Sequence, residues 1–376
     1  MNTAAQTYDV TLEQICSGPI AAAAPTVDRE GTFPEQAIQA LKQGRFLGAL
    51  SGNVAGGLGL GIRGAASVVR RVAQECGSTA MVLCMHYCGA AVLEAHAPED
   101  VRRAAASGEH LSTLAFSEAG SRSHFWVPES TATRDNGHVV LNARKSWITS
   151  ASRAAAYVWS SKPLAAEGLS TIWLVPSGMA GMSVHGPFEG LGLRGNDSSP
   201  VSANGVRVPH SAMLGGDGKG FDIMMGIVMP AFGILNSACT LGLMDAAVSR
   251  TAQHAAATRH ADTGSTLADL PTIRNYIARM RVKTDMVSAL LNDTIAAVES
   301  EQPDAILRVL SSKAAAGETS TEVLDLAMRV CGGAAFRKEV GVERYFRDAR
   351  AAGVMAPTTD VLYDFIGKAA CGMPLF

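Results

Sequence analysis

The spacing of apolar residues changes character twice along the 376-residue chain. From Phe33 to about Glu109, segments such as PEQAIQALKQGRFLGAL and ASVVRRVAQECGSTAMVLCMHYCGAAVLEAHA place apolar residues three and four apart, which predicts helices with one buried face. From Leu111 to Leu214 the runs shorten. HVVLNARKSWITS, AAYVWSS, LSTIWLVPSG and VSANGVRVP are rich in β-branched and aromatic residues, and RDNGH and SANGV supply turns. From about Gly220 helical spacing returns in three runs that each exceed 25 residues, with Pro230 bending or starting the first. Helices of that length bury themselves by packing side by side. The pattern therefore predicts an α+β chain: residues 1–110 helical, 111–215 a compact antiparallel β domain, 216–376 a bundle resembling four helices.

Composition excludes several functions. Lys plus Arg number 32 against 34 for Asp plus Glu, so no basic excess exists to displace phosphate counterions, and nucleic acid is not an expected partner. With 47% hydrophobic and 18% charged residues the chain can bury a sizeable core. No stretch reaches about 18 uninterrupted apolar residues, and no membrane span is expected. The start, MNTAAQTYDV, lacks the basic and apolar regions of a secretory signal. Seven cysteines, an odd number, then read as reduced thiols in a cytoplasm. Cys84, His86 and Cys88 lie in an apolar helical run with no second Cys/His pair, so they read as core rather than as a metal site. GLGLG at 57–61 has helical flanks instead of the preceding strand that a dinucleotide loop needs, and reads as a structural loop.

Four segments in order, AFSEAGSRSH (115–124), LNARKSWITSAS (141–152), GLGLRGNDSS (190–199) with GVRVPHSAMLGGDGKGF (205–221), and RVCGGAAFRKEVGVERYFRDAR (329–350), resemble the acyl-CoA dehydrogenase family across nearly the whole chain. The resemblance implies an N-terminal helical domain, a middle β barrel or sandwich, a C-terminal four-helix bundle, and FAD as cofactor, with FMN as the alternative. It places Phe116 and Ser117 at the flavin, Ser117 on the pyrimidine side of the isoalloxazine. Ser123 would reach the pyrophosphate and border the substrate. Trp147 would cover one edge of the ring and Thr149 would bond near N5; the structural alternative for Trp147 is a strand residue in the β core. Gly332 and Gly333 would let the backbone approach the adenosine arm, although a helix C-cap explains a Gly pair equally. Thr358 and Asp360 would stand near the cofactor. The resemblance assigns no chemistry to ERYFRDAR, a structural and subunit-contact segment.

The departures bear on the reaction. Oxidising an acyl thioester across its α and β carbons needs a base for the α proton, in the family a Glu. At the two positions where relatives carry it, this chain has Ala356 and Phe232. The family's R-x-x-F-G aligns with His260 to Gly264 and lacks both Arg and Phe, a CoA-contacting Arg falls on Gly233, and the aspartate after the first motif's serine is His124. Asp360, Glu118 and His124 are the substitutes in reach: the first reads as a flavin-side group, the second as structural, the third as a surface histidine. Three functions follow from the resemblance. One is a flavin oxidoreductase acting at CH–CH of a CoA- or carrier-linked acyl substrate, with hydride passing to N5. Another is a two-component monooxygenase fed by a flavin reductase. The third is a base-less subunit completing a homologous partner. The resemblance also implies a homodimer or homotetramer.

Overall fold

The structure is a computed structural model that describes residues 3–121 and 123–375. Six helices open the chain: α1 Thr3–Ile15, α2 Ala21–Glu30, α3 Glu35–Gln43, α4 Gly61–Glu75, α5 Gly77–His96 and α6 Glu99–Ser107. Eight strands follow: β1 Ser112–Ala115, β2 Thr131–Asp135, β3 His138–Ile148, β4 Ala156–Ser161, β5 Thr171–Pro176, β6 Met182–Val184, β7 Ser199–Pro209 and β8 Met213–Leu214. The helices α7 Gly220–Ile223, α8 Met229–Ala257, α9 Pro271–Glu299, α10 Ala305–Cys331, α11 Val342–Val354 and α12 Thr359–Ala370 complete it.

The strands make two four-stranded sheets, ordered β1-β4-β5-β8 and β2-β3-β7-β6. The expectation of a purely antiparallel domain needs one correction: β1 pairs in parallel with β4, Ser112 opposite Ala156 and Ala115 opposite Trp159. The reason is topological. After β1 the chain crosses to build the β2–β3 hairpin of the other sheet, and it returns to β1 running in the same direction. Between the sheets lie Tyr157, Trp159, Trp173, Val139, Val201 and Val206, all buried. Trp147 is not among them.

Helix α8 is apolar on nearly every side because neighbours surround it: α4 and α5 from the N-terminal zone, α9, α10 and α11 from the C-terminal one. Pro230 stands directly after a π-helical turn at Met224–Val228 inside the continuous helical run Gly220–Ala257; having no N–H, it interrupts the hydrogen-bond ladder there, and the widened turn accommodates its ring. The helices α5 and the run Gly220–Ala257 are long and apolar enough to cross a membrane by composition, yet 78% and 89% of their most apolar windows are buried inside the protein. Their hydrophobicity serves the core. The ERYFRDAR segment is α11, and it ties the helical zones together. Arg347 bridges Asp28 and Glu343, Arg344 donates to Glu75 O at 2.7 Å, and Tyr345 donates to Gln74 O at 2.7 Å.

Candidate functional site

A cavity of about 590 Å³ opens where β1, the end of β3, the 188–198 loop, the start of α8 and the 351–358 segment meet. That volume is within the range of about 300–1,000 Å³ usual for cofactor and ligand sites. Phe116, Ser117, Ser123, Trp147, Thr149 and Thr358, far apart in the sequence, all line it. Ser117 follows β1 and is pinned to β3 by Ser146 N–H donating to its carbonyl at 2.9 Å. Its hydroxyl has no partner among the described residues. Thr149 is buried; its carbonyl accepts from Thr113 Oγ1 at 2.8 Å, and its hydroxyl lies 3.4 Å from that of Ser198. Ser123 Oγ donates to Thr358 Oγ1 at 3.4 Å. Phe116 is buried and stacks on Phe125 with ring centroids 6.3 Å apart.

Trp147 owes its place to a break in the β3–β7 register between Lys145 and Ile148, where its φ is +57°. Such breaks re-aim a side chain out of the sheet. Trp147 is consequently 61% exposed, with its ring 4.0 Å from that of Phe188 across the cavity wall. Ser150, Leu193 and Asp197 also have φ between +51° and +56°. A left-handed backbone at four non-glycine residues beside one cavity is strained and persists only where the surroundings hold it. They do so here: Ser150 N–H donates to Asn196 O at 2.9 Å, Ser152 N–H to Asp197 Oδ2 at 2.7 Å, and Leu193 N–H to Asp348 Oδ1 at 2.6 Å.

Three of the expected cofactor residues lie elsewhere. Gly332 and Gly333 are exposed at the end of α10, where Gly332, at φ +54°, terminates the helix, and neither lines the cavity. Asp360 is exposed in the first turn of α12, outside the lining. His124 is an exposed residue set edge-on to Trp126 at 5.1 Å. His86 is a satisfied core histidine: Nε2 lies 3.0 Å from Leu47 O, and Nδ1 accepts from Ser112 N–H at 3.1 Å.

Ala356 and Phe232 both line the cavity, so the two positions of the missing base are in the wall and carry a methyl group and a phenyl ring. Among the described residues the only ionisable side chains in the lining belong to Glu118 and Arg194. Glu118 is committed. Its Oε1 accepts from Lys145 Nζ at 2.5 Å and from the Ser130 hydroxyl, and its Oε2 accepts from Glu129 N–H at 2.6 Å. Burial pushes its pKa up, but Lys145 and these donors hold it below the ordinary carboxylate value. Lys145, fully buried, is brought down to about 8 and remains charged beside it at neutral pH. Arg194 is also engaged, with Nε donating to Asp28 O at 2.8 Å.

Gly233, where relatives carry an Arg, faces α10: a Cβ there would lie 2.4 Å from Val309 Cγ1. A side chain at 233 points into the bundle. Two groups that sequence reasoning missed stand behind the wall. Lys313, buried on α10, donates through Nζ to Met355 O at 2.9 Å and Pro357 O at 2.8 Å, the carbonyls on either side of Ala356. Burial alone brings its pKa down to about 7. Asn236, buried on α8, donates to Met355 Sδ at 3.4 Å. Its spacing of four from Phe232 was the available signal for Asn236; nothing local marked Lys313.

The donors and walls fit a flat heteroaromatic group. The Ser117 hydroxyl, unpartnered among the described residues, the Thr149 hydroxyl and a broad exposed Trp147 offer hydrogen bonds at an edge and an apolar face, and Val354, 72% exposed in the same lining, needs a cover.

Known proteins resemble this chain over most of its length. Three domain profiles match: "Acyl-CoA dehydrogenase, N-terminal domain" over residues 5–107, the middle domain over 113–206, and the C-terminal domain over 218–371. The human mitochondrial short-chain specific acyl-CoA dehydrogenase is 29% identical over 363 residues, covering 91% of this chain and 83% of that protein. The butyryl-CoA dehydrogenase of Megasphaera elsdenii superposes with a TM-score of 0.92 at 19% identity, covering 99% of each chain. PigA in its FAD complex superposes with a TM-score of 0.89 at 19% identity, covering 99% of this chain and 98% of that one. At those identities the two structures speak for the fold alone.

Proposed function

The chain belongs to the acyl-CoA dehydrogenase family of FAD-dependent oxidoreductases, and from that premise we propose that it oxidises an uncharged, largely apolar substrate beside FAD without a protein carboxylate as base. That is the chemistry of a hydroxylase supplied with reduced flavin. The observation that carries the reading is the wall itself: Phe232 and Ala356 occupy the two positions from which a base would act, and Glu118 is held by Lys145.

The residues divide the work. Ser117 and Thr149 offer hydroxyls to the polar edge of a flavin, Trp147 and Phe188 an aromatic wall, Ser123 and Thr358 a polar rim. Bound FAD would supply the two-electron redox chemistry that no side chain here provides. In hydroxylation, one atom of O2 enters a C–H bond of the substrate and the other leaves as water with two protons. The two electrons arrive as reduced flavin from a separate reductase. No step removes an α proton, so a methyl group at 356 is no handicap. Phe336, Val282 and Met286, exposed at 82%, 57% and 66%, call for cover, which a homodimer or homotetramer in the cytoplasm would provide.

A second reading, dehydrogenation of an acyl thioester, is favoured by the similarity to the short-chain acyl-CoA dehydrogenases over 91% of this chain. The two separate in one experiment on FAD-loaded protein. Butyryl-CoA added anaerobically is expected to leave the flavin oxidised. Chemically reduced protein exposed to isotopically labelled oxygen gas is expected to place one labelled atom in a small apolar acceptor such as indole. Catalytic bleaching by butyryl-CoA, or no label in any acceptor tried, would overturn the hydroxylase reading.

A further inference from the structure

Asn236 lies one helical turn beyond Phe232 on α8, and Phe232 one turn beyond Val228. Residues four apart share a helix face, and Val228 and Phe232 both line the cavity. Asn236 is therefore the next residue on the stripe that forms the cavity wall, and the first polar one. It is 1% exposed, and its Oδ1 has no hydrogen-bond partner among the described residues. Its Nδ2 meets only the thioether of Met355, a weak acceptor. Exchanging the two ends of the amide leaves one end unpartnered either way. A buried polar group in that state is destabilising, and such exceptions in a folded protein require a reason.

Met355 separates the amide from the cavity: it lines the cavity and touches Asn236 through its sulfur. An unbranched thioether turns easily among its rotamers. Its backbone stays in place, because Lys313 Nζ holds its carbonyl and that of Pro357. A swing of the Met355 side chain uncovers the amide without moving the wall.

We propose that Asn236 determines substrate specificity at the floor of the cavity, its amide hydrogen-bonding an uncharged hydroxyl or N–H group at the deep end of the substrate when Met355 swings aside. The proposal rests on the reading that the cavity takes the substrate. An uncharged group suits that end: Val228, Phe232 and Met355 beside the amide are apolar, Glu118 is paired with Lys145, and Lys313 Nζ donates to two carbonyls.

Two ligands matched in shape test it: para-cresol, which carries a hydroxyl, and para-fluorotoluene, which does not. Their affinities are read by thermal shift at millimolar ligand, on protein with and without FAD. The wild type is expected to bind para-cresol tenfold or more tightly than para-fluorotoluene. Asn236→Leu is expected to remove the preference and to melt at the same or a higher temperature, because an apolar residue of similar shape abolishes the unpartnered group. Met355→Ala is expected to enlarge the preference. Equal binding of the two ligands, binding of neither, a preference that survives Asn236→Leu, or an Asn236→Leu protein that melts lower or fails to fold would each overturn the proposal. FAD titration of the same preparations keeps the readings apart: protein that binds no FAD yet keeps the para-cresol preference sinks the flavin reading alone.

Discussion

At position 356 the protein presents a methyl group to a cavity whose backbone is held on both sides, Met355 O and Pro357 O each accepting from Lys313 Nζ. The wall is thus a fixed surface without a base at that point. Ala356→Glu restores a carboxylate at that point. General bases contribute about 10²–10⁴ in rate, so the variant is expected to gain bleaching by butyryl-CoA at least about a hundredfold over the wild type. Stopped-flow absorbance of the flavin-loaded proteins checks it. No gain would mean that position 356 does not face the reacting carbon.

Among the elements, β3 and α8 decide the shape of the site. The end of β3 leaves its sheet at Trp147, and the left-handed turns at Ser150 and Asp197 hold each other through the Asp197 carboxylate, which accepts from Ser152 N–H at 2.7 Å and Ser152 Oγ at 2.8 Å. Asp197→Ala leaves a strained turn without its clasp. It is expected to lose about 1–3 kcal/mol of stability in urea denaturation and to weaken FAD binding in a fluorescence titration. Helix α8 approaches α10 closely at Gly233. Gly233→Ala drives a methyl group into Val309, and overpacking of this kind costs about 1–3 kcal/mol; the same denaturation experiment reads it. A stabilised variant would show that the helices part freely there.

Across the whole molecule, one hydrophobic core runs from Leu12 of α1 through α5 and α8 to Phe365 of α12, so the helical zones stand or fall together. Buried ionisable groups make that stability depend on pH. Lys313, brought down to about 7 by burial, compares with about 10.4 in an unfolded chain. Between those values the unfolded chain binds a proton that the folded chain does not, so this residue makes stability rise with pH, by at most about 1.4 kcal/mol per pH unit. Below pH 7 the folded protein carries the buried charge and the contribution is lost. Lys313→Met should therefore be increasingly destabilising relative to wild type as pH is raised from 6.5 to about 9, measured by denaturant melts at each pH. A difference that stays constant would mean that the carbonyls around Nζ keep the amine charged throughout. Asp348, pushed up to about 6 by burial, acts in the opposite sense: its contribution falls as pH rises from about 4 to 6.

Local periodicity was enough to foresee the helix–strand–helix order, because it is carried by neighbours in the chain; the family resemblance of short motifs was what pointed to residues from Phe116 to Thr358 meeting at one site and to positions 232 and 356 as lacking a carboxylate. Trp147 was read both as a ring cover and as a core residue, and only the register break on β3 decided in favour of exposure. The parallel β1–β4 pair, the exclusion of Gly332, Gly333 and Asp360 from the cavity, the Glu118–Lys145 pair and the grip of Lys313 on a segment about forty residues away were decided by the tertiary structure alone. Such features depend on which surfaces are pressed together and dried out, and burial is what gives a lone lysine or an unpartnered amide its chemical meaning.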